Sequence, residues 1–145
     1  MDIYEIDAGL YQSGTLPESL AILHEPGISA VVDLEHHPDS ALLREALPPG
    51  SMVYTWYPID DGPMPDAATV RAIARFVAAL LACGRKVLVH CSGGLNRSGL
   101  VVARTLIERG ITPDEAIRIV RERRGQDALF NREFERWLLA EAGEA

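Results

Sequence analysis

Short apolar runs alternate along the chain with longer segments in which apolar residues recur every three or four positions. The short runs are rich in β-branched residues and predict strands, whereas the periodic segments predict helices with one buried face. The predicted strands cover residues 3–6, 10–13, 28–34, 52–59 and 87–89. This alternation predicts an α/β domain whose central, largely parallel sheet of four to five strands is flanked by helices.

Several of the predicted helices have clear start signals. Residues 15–18 and 112–115 read as capping boxes, and Pro113 suits the first turn of the second helix. A short helix is predicted from about residue 39 to 47, and Asp66 is predicted to cap the helix that follows it. Apolar side chains near the end of the chain predict a last helix with a core-facing stripe: Phe130, Phe134, Trp137 and Leu138.

The segment from His90 to Gly99 interrupts this pattern between two apolar runs, residues 87–89 and 100–103. It reads as the end of a strand, a tight loop and the start of a buried helix that continues to Arg109. Glycines allow the backbone to curl so that N–H groups point inward, and the helix N-terminus adds positive potential. Such a loop can hold a phosphate-sized dianion.

Two reactive side chains lie at the ends of this loop, Cys91 and, six positions later, Arg97. A helix N-terminus and cationic neighbours favour the thiolate form of a cysteine, which is the nucleophilic form. The planar guanidinium can bind two oxygens of a transferring phosphoryl group at once, which a lysine cannot do. A buried structural cysteine is the alternative, but it does not account for the glycine-rich bend and the spaced arginine.

The pattern Cys-x5-Arg-Ser preceded by His resembles the signature loop of cysteine-dependent protein tyrosine phosphatases, particularly the small dual-specificity branch. The resemblance implies that Cys91 is the nucleophile, that Arg97 clamps the phosphate and that Ser98 assists departure of the thiolate. It also implies that His90 braces the loop. The residues implied to bind the substrate phosphate are Ser92, Gly93, Gly94, Leu95, Asn96 and Arg97. We call residues 91–98 the signature loop.

A general acid is expected at the same edge of the sheet, because ligands of parallel sheets bind beyond the carboxyl ends of the strands and the leaving oxygen needs a proton. Asp60 and Asp61 follow the predicted strand 52–59 and precede a Gly-Pro bend. The placement typical of the family favours Asp61, with Asp60 as the second candidate. The alternative is that both aspartates only turn the chain.

The implied mechanism needs no metal and no cofactor: it passes through a phosphocysteine intermediate that water hydrolyses. In the family a glutamine of a late loop sometimes positions that water, and Gln126 is the candidate. His36 and His37 also follow a strand at this edge, but no third ligand accompanies them at metal-site spacing, so we interpret them as surface residues. Cys83 lies roughly 16 Å of extended strand away from Cys91, which argues against a disulfide.

The composition limits the number of domains and the kinds of partner that the chain can have. The chain has 145 residues, 48% of them hydrophobic, which fits a single phosphatase domain over residues 1–145. A net charge of −7 argues against general affinity for nucleic acids or anionic membranes. No leader or membrane-spanning pattern is present, so we expect a cytoplasmic protein. Four arginines form a local basic cluster in this acidic chain, and we interpret them as a solvated helix face: Arg118, Arg121, Arg123 and Arg124.

The predicted function is therefore hydrolysis of phosphotyrosine, with activity on phosphoserine and phosphothreonine, in phosphoprotein or phosphopeptide substrates. Residues 92–96 are uncharged, so a single phosphate is expected and phosphoinositides should be poor substrates. Two alternatives stay open. Residues 94–97 resemble the loop of RNA 5′-phosphatases, and the loop could serve a non-catalytic phosphate-binding scaffold module.

Overall fold

The computed structural model describes residues 2–16, 21–39 and 50–141. Within these ranges the chain forms five strands and five helices. The strands are β1 (Tyr4–Asp7), β2 (Leu10–Ser13), β3 (Ile28–Asp33), β4 (Val53–Trp56) and β5 (Lys86–His90). The helices are α1 (Ala21–His24), α2 (Ala67–Ala82), α3 (Arg97–Glu108), α4 (Pro113–Arg124) and α5 (Arg132–Ala140). None of these helices is both long and apolar enough to cross a membrane.

All five strands lie in one sheet, in the order β1-β2-β5-β3-β4. β1 is antiparallel to β2, and the other neighbouring pairs are parallel, which confirms the predicted fold class. The register places Ser13 and Asp33 on either side of His90. The carboxyl ends of β2, β3 and β5 therefore meet at one edge of the sheet, from which the signature loop departs.

β4 is shorter than the predicted strand 52–59 because regular pairing stops at Trp56. Beyond it, Tyr57 donates its N–H to the carbonyl of Asp33, and Ile59 donates to that of Leu34. Pro58 between them has no N–H to continue a ladder. This irregular segment leads the chain along the end of β3 toward Asp60.

Two apolar clusters cover the two faces of the sheet. The larger cluster joins the sheet to α2, α3, α4 and α5, and the smaller one includes Leu23 of α1 together with Val31 and Leu88. α3 is buried along nearly its whole length, as its apolar sequence predicts. The signature loop is thus attached to the most deeply packed of the described helices, which fixes the position of the loop.

The predicted helix starts agree with the structure in part. Asp66 caps α2, since its carboxylate accepts the N–H of Thr69 at 3.1 Å. Pro113 begins α4 as predicted. The side chain of Thr112 makes no capping hydrogen bond, so the predicted capping box there is wrong. The acidic residues in the first turn of α4 instead interact favourably with the positive end of the helix dipole. The hydroxyl of Thr15 donates to a carboxylate oxygen of Glu35 at 2.9 Å. Glu18 and the helix predicted at 39–47 lie outside the described residues, except for residue 39 itself.

The predicted aromatic stripe is correct for Phe134 and Leu138, which are buried, and for Trp137, which packs against the core. It is wrong for Phe130, which precedes α5 and is 64% exposed. The neighbouring Leu129 adopts a left-handed backbone with φ 59° and fills the core in its place. This turn points Phe130 outward.

A buried charge cluster joins α2, α3 and the end of α5. Glu141 accepts two hydrogen bonds from Arg71 and one from Arg104, each at 2.8 Å. Arg104 also donates to Glu108 at 3.1 Å. The two guanidinium groups hold the pKa of Glu141 below its ordinary value. The last helix is thereby fastened to the helix that carries the signature loop.

We expect Glu141→Gln to lower the free energy of unfolding by about 3 kcal/mol at neutral pH, because it leaves the buried Arg104 incompletely compensated. The depressed pKa stabilises the folded state above the ordinary value of 4.5, and this contribution is lost as the pH falls through the folded-state pKa. The difference between wild type and variant, measured by urea unfolding, should therefore shrink in acid. An equal difference at pH 7 and in acid would contradict this account.

Candidate active site

The signature loop curls between β5 and α3 and packs against the end of β2. Thr15 donates its N–H to the carbonyl of Ser92 at 3.1 Å. Gly94 has a left-handed φ of 70°, and a Cβ there would lie 2.5 Å from the nitrogen of Gly14. The loop therefore needs glycine at position 94 both for its turn and for its close approach to the β2 end.

Cys91 lies at the base of the loop and is 2% exposed. Its Sγ accepts the N–H of Gly94 at 3.3 Å and lies 3.3 Å from the hydroxyl of Ser98. The amide of Gln12 donates to the same hydroxyl oxygen at 3.1 Å, which leaves the hydroxyl proton of Ser98 available to the sulfur. With the N-terminus of α3 beside it, this arrangement suits a thiolate.

Arg97 is buried at the first position of α3. Its Nη1 donates to the carbonyl of Ile59 at 3.0 Å and lies 3.5 Å from that of Leu34. Its Nε is buried without a hydrogen-bond partner among the described residues. Backbone carbonyls that follow β3 and β4 thus hold the guanidinium in place. Its remaining N–H groups can donate to an anion.

The other predicted loop residues have distinct environments. Ser92 and Gly93 are exposed, whereas Leu95 packs against the core. The carbonyl of Leu95 accepts the N–H of Leu129 at 3.2 Å. Asn96 is buried, and its Oδ1 accepts the N–H of Asn131 at 3.1 Å. The loop is therefore anchored to the segment that precedes α5.

His90 is fully buried between two carboxylates. Its Nε2 lies 3.4 Å from Asp33, and its Nδ1 lies 3.4 Å from Glu35. Burial lowers the pKa of His90 below its ordinary value, against the opposing pull of these carboxylates and of Asp39. This position fits the bracing role implied for His90.

Asp33, Glu35 and His90 form a group whose potential ligand atoms lie within 4.8 Å of one another. The two carboxylates face different ring nitrogens of His90, so each supports one side of the imidazole. Asp33 is also occupied, because it accepts the N–H groups of Glu35 and Asp39 and the hydroxyl of Tyr54. The group fits a braced imidazole better than a metal centre.

Glu35 links the site to β2, a role that its position in the sequence did not indicate. One carboxylate oxygen accepts the hydroxyls of both Thr15 and Ser92 at 2.9 Å. The other oxygen faces His90. Glu35 therefore ties together the residue before the nucleophile, the residue after it and the end of β2.

The two candidate acids, Asp60 and Asp61, lie on an exposed loop. The loop begins directly after Ile59, whose carbonyl accepts a hydrogen bond from Arg97. Asp60 lies 3.1 Å from the exposed His36. Asp61 makes no hydrogen bond or ion pair within residues 2–16, 21–39 and 50–141, and its carboxylate is accessible. The next residue, Gly62, is anchored because its carbonyl accepts the amide of Asn131 at 2.8 Å.

The structure places Gln126 differently from the other predicted site residues. Its amide donates to the carbonyl of Arg121 at 3.4 Å, and the residue lines a cleft between α4 and α5. Among the described residues, no hydrogen bond joins its side chain to the signature loop. His37 is exposed, as expected for a surface residue, and the two cysteines are free thiols, Cys83 being exposed.

Glycine substitutions can test how closely the loop must pack. We expect Gly94→Ala to lower kcat/KM by about 10- to 100-fold, because the clash with Gly14 displaces an N–H that faces Cys91. Gly93→Ala is the matched control, since a Cβ there meets nothing within 4 Å. Steady-state kinetics on an aryl phosphate would measure both. Equal effects of the two substitutions would contradict the packing argument.

Comparison with known proteins agrees with the fold. Residues 10–142 match the family model described as "Dual specificity phosphatase, catalytic domain". The chain is 41% identical over 75 residues to cyclin-dependent kinase inhibitor 3 of Rattus norvegicus, covering 50% of this chain and 35% of that protein. It is 39% identical over 77 residues to protein tyrosine phosphatase type IVA 3 of Homo sapiens, covering 52% and 44%. These matches span less than half the length of either relative.

Among solved structures, the crystal structure of Tk-PTP in the active form superposes with a TM-score of 0.76 and 28% identity, covering 98% of this chain and 96% of the other. The chain belongs to the dual-specificity phosphatase catalytic-domain family, whose members are cysteine-dependent protein phosphatases.

Proposed function

We propose that the protein hydrolyses phosphate monoesters of phosphoproteins, mainly phosphotyrosine and also phosphoserine and phosphothreonine, through a phosphocysteine intermediate. The observation that carries the proposal is the position of the Cys91 sulfur. It lies at the base of an anion-binding loop, 3.3 Å from a backbone N–H and 3.3 Å from the Ser98 hydroxyl, with Arg97 at the start of the same helix.

In the first step the Cys91 thiolate attacks phosphorus in line with the leaving oxygen. The P–S bond forms and the P–O bond breaks, while the leaving oxygen takes a proton from Asp61. Loop N–H groups and the Arg97 guanidinium stabilise the charge on the three equatorial oxygens. The Nε of Arg97, which has no hydrogen-bond partner in the described part of the chain, supports this role.

In the second step water attacks the phosphocysteine. Asp61, now a carboxylate, accepts a proton from the water, a P–O bond forms and the P–S bond breaks. The Ser98 hydroxyl stabilises the departing thiolate, which its position beside the sulfur supports. The contacts of Gln126 give no support for the water-positioning role predicted from the sequence.

The surroundings of the loop support the proposed substrate class. Its residues between Cys91 and Arg97 carry no charge that could meet a second phosphate. Trp56 and Tyr57, at the carboxyl end of β4, are each 43% exposed. We propose that they pack against the aromatic ring of a bound phosphotyrosine. Both features support a singly phosphorylated protein side chain.

A panel of substrates tests the proposed class. Phosphotyrosine, phosphoserine and phosphothreonine peptides would be compared by kcat/KM with a phosphoinositide and an RNA 5′-phosphate, and Cys91→Ser would serve as the blank. We expect phosphotyrosine peptides to react fastest and the other phosphopeptides detectably. A phosphoinositide or an RNA end with a higher kcat/KM than every phosphopeptide would overturn the proposal, and binding without turnover would favour a scaffold.

A further inference from the structure

Arg124, the last residue of α4, binds the outer side of the signature loop. Its Nε donates to the carbonyl of Gly94 at 2.8 Å, and its Nη2 donates to the carbonyl of Gly93 at 3.3 Å. The charge pattern predicts a solvated helix face for Arg124, and this prediction is wrong. It is also wrong for Arg121, which donates to the carbonyls of Ala128 and Leu129 and pairs with Glu135.

These two carbonyls determine where the loop N–H groups point. In a trans peptide the C=O and the following N–H lie on opposite sides of the chain, and no cis peptide occurs among the described residues. Holding the Gly93 carbonyl outward therefore turns the Gly94 N–H inward, where it donates to Cys91. Holding the Gly94 carbonyl outward, with help from Gln12 at 3.0 Å, turns the Leu95 N–H away from Arg124 in the same manner.

The pair of glycines makes such a restraint necessary. Glycine peptides rotate more freely than others, and a Cβ at Gly93 would meet nothing within 4 Å, so side-chain packing does not hold that peptide. A rotated peptide would present a carbonyl instead of an N–H to an anion. Two adjacent hydrogen bonds from one rigid guanidinium oppose that rotation.

Arg124 is itself held in place by β1. Its guanidinium lies over the ring of Tyr4, with 4.5 Å from Cζ to the ring centroid. A planar cation can stack on an aromatic ring and still present two donors at its edge, whereas an ammonium group cannot do both. The position at the C-terminus of α4 also suits a positive charge.

The geometry points to Arg124 as a positioning residue that locks the Gly93–Gly94 and Gly94–Leu95 peptides, with the N–H groups of Gly94 and Leu95 turned toward the substrate phosphate. This inference rests on the proposed function of the loop. Arg124 does not itself need to touch the substrate: it acts through the backbone. Its loss should therefore weaken binding of any phosphate-like anion in the loop as well as turnover.

Two measurements test the inference with the whole chain. The first is the affinity for inorganic phosphate, measured by calorimetry in the Cys91→Ser background, where no turnover can occur. The second is kcat and KM on a phosphotyrosine peptide in the otherwise wild-type protein. Both measurements are made on Arg124→Met, which keeps the apolar stem of the side chain, and on Arg124→Lys. The control is Arg123→Met, which alters the exposed neighbouring arginine. Circular dichroism and thermal melting check that each variant is folded.

We expect Arg124→Met to weaken phosphate binding about tenfold and to lower kcat/KM by about 10- to 100-fold. Removing a donor that contacts the substrate directly can cost up to about 10³-fold, and Arg124 acts only through the backbone. Arg124→Lys should recover part of both losses, and Arg123→Met should change neither. Folded Arg124→Met with wild-type phosphate affinity and kcat/KM would overturn the inference, as would equal losses in Arg123→Met.

The outcomes separate this inference from the proposed function. Weaker phosphate binding in Arg124→Met, together with a wild-type protein that hydrolyses no phosphopeptide, would support the positioning role and contradict the function. Normal hydrolysis by both wild type and Arg124→Met would support the function and contradict the positioning role. Absence of phosphate binding in the Cys91→Ser protein would contradict both, since the loop would not be an anion site.

Discussion

Replacing Cys91 by Ser should abolish turnover while the protein still binds phosphate esters. A serine hydroxyl is far less ionised than a thiol, so the attacking group is lost, and kcat should fall by about 10⁴-fold or more. The loop N–H groups and Arg97 stay in place, so affinity for a phosphotyrosine peptide should persist. Kinetics on an activated aryl phosphate and calorimetry with the peptide would measure the two properties separately.

The second cysteine provides the control. Cys83 is an exposed free thiol at the end of α2, so Cys83→Ser should keep wild-type activity. Vanadate, which imitates five-coordinate phosphorus, should inhibit the wild type, and EDTA should have no effect. Substantial turnover by Cys91→Ser, or loss of activity on adding EDTA, would contradict a cysteine-dependent mechanism.

The features that the sequence predicts well are those determined by neighbouring residues. The strand–loop–helix around Cys91 and Arg97 depends on the order of apolar, glycine and basic residues within a short segment. The deep burial of α3 follows from its nearly continuous apolar sequence. The cap at Asp66 is equally local. Because a parallel sheet brings strand ends to one edge, the approach of the Asp60–Asp61 loop to the signature loop could also be predicted.

The residues that support the loop from a distance could not be predicted in this way. Gln12 and Glu35 contact the loop across separations of 82 and 57 residues, and Arg124 across 30. A buried Gln in a strand and an arginine at a helix end have ordinary sequence contexts, and only the packing of β2 and α4 shows what they bind. Charge pattern alone therefore misassigned Arg124, as hydrophobicity alone misassigned Phe130.

The two candidate acids should separate by how their loss depends on the leaving group. A phenol of a phosphotyrosine peptide is a poor leaving group and needs protonation, so Asp61→Asn should slow its release by about 10²-fold or more. An activated aryl phosphate departs with little need of a proton and should be affected much less. For each variant, kcat/KM is measured on both substrates. The ratio of the two values reports the contribution of the acid and does not depend on small errors in enzyme concentration.

Asp60→Asn is the matched control, since the same chemical change is made one residue away. Asp60 already lies beside His36 at the surface, whereas Asp61 is free of such a partner within the described ranges, so Asp60→Asn should reduce both rates only mildly. If Asp60→Asn instead lowered peptide hydrolysis selectively and Asp61→Asn did not, the proton donor would be Asp60. Equal losses on both substrates in Asp61→Asn would indicate damage to the loop rather than removal of an acid, because a disturbed anion site slows attack whatever the leaving group.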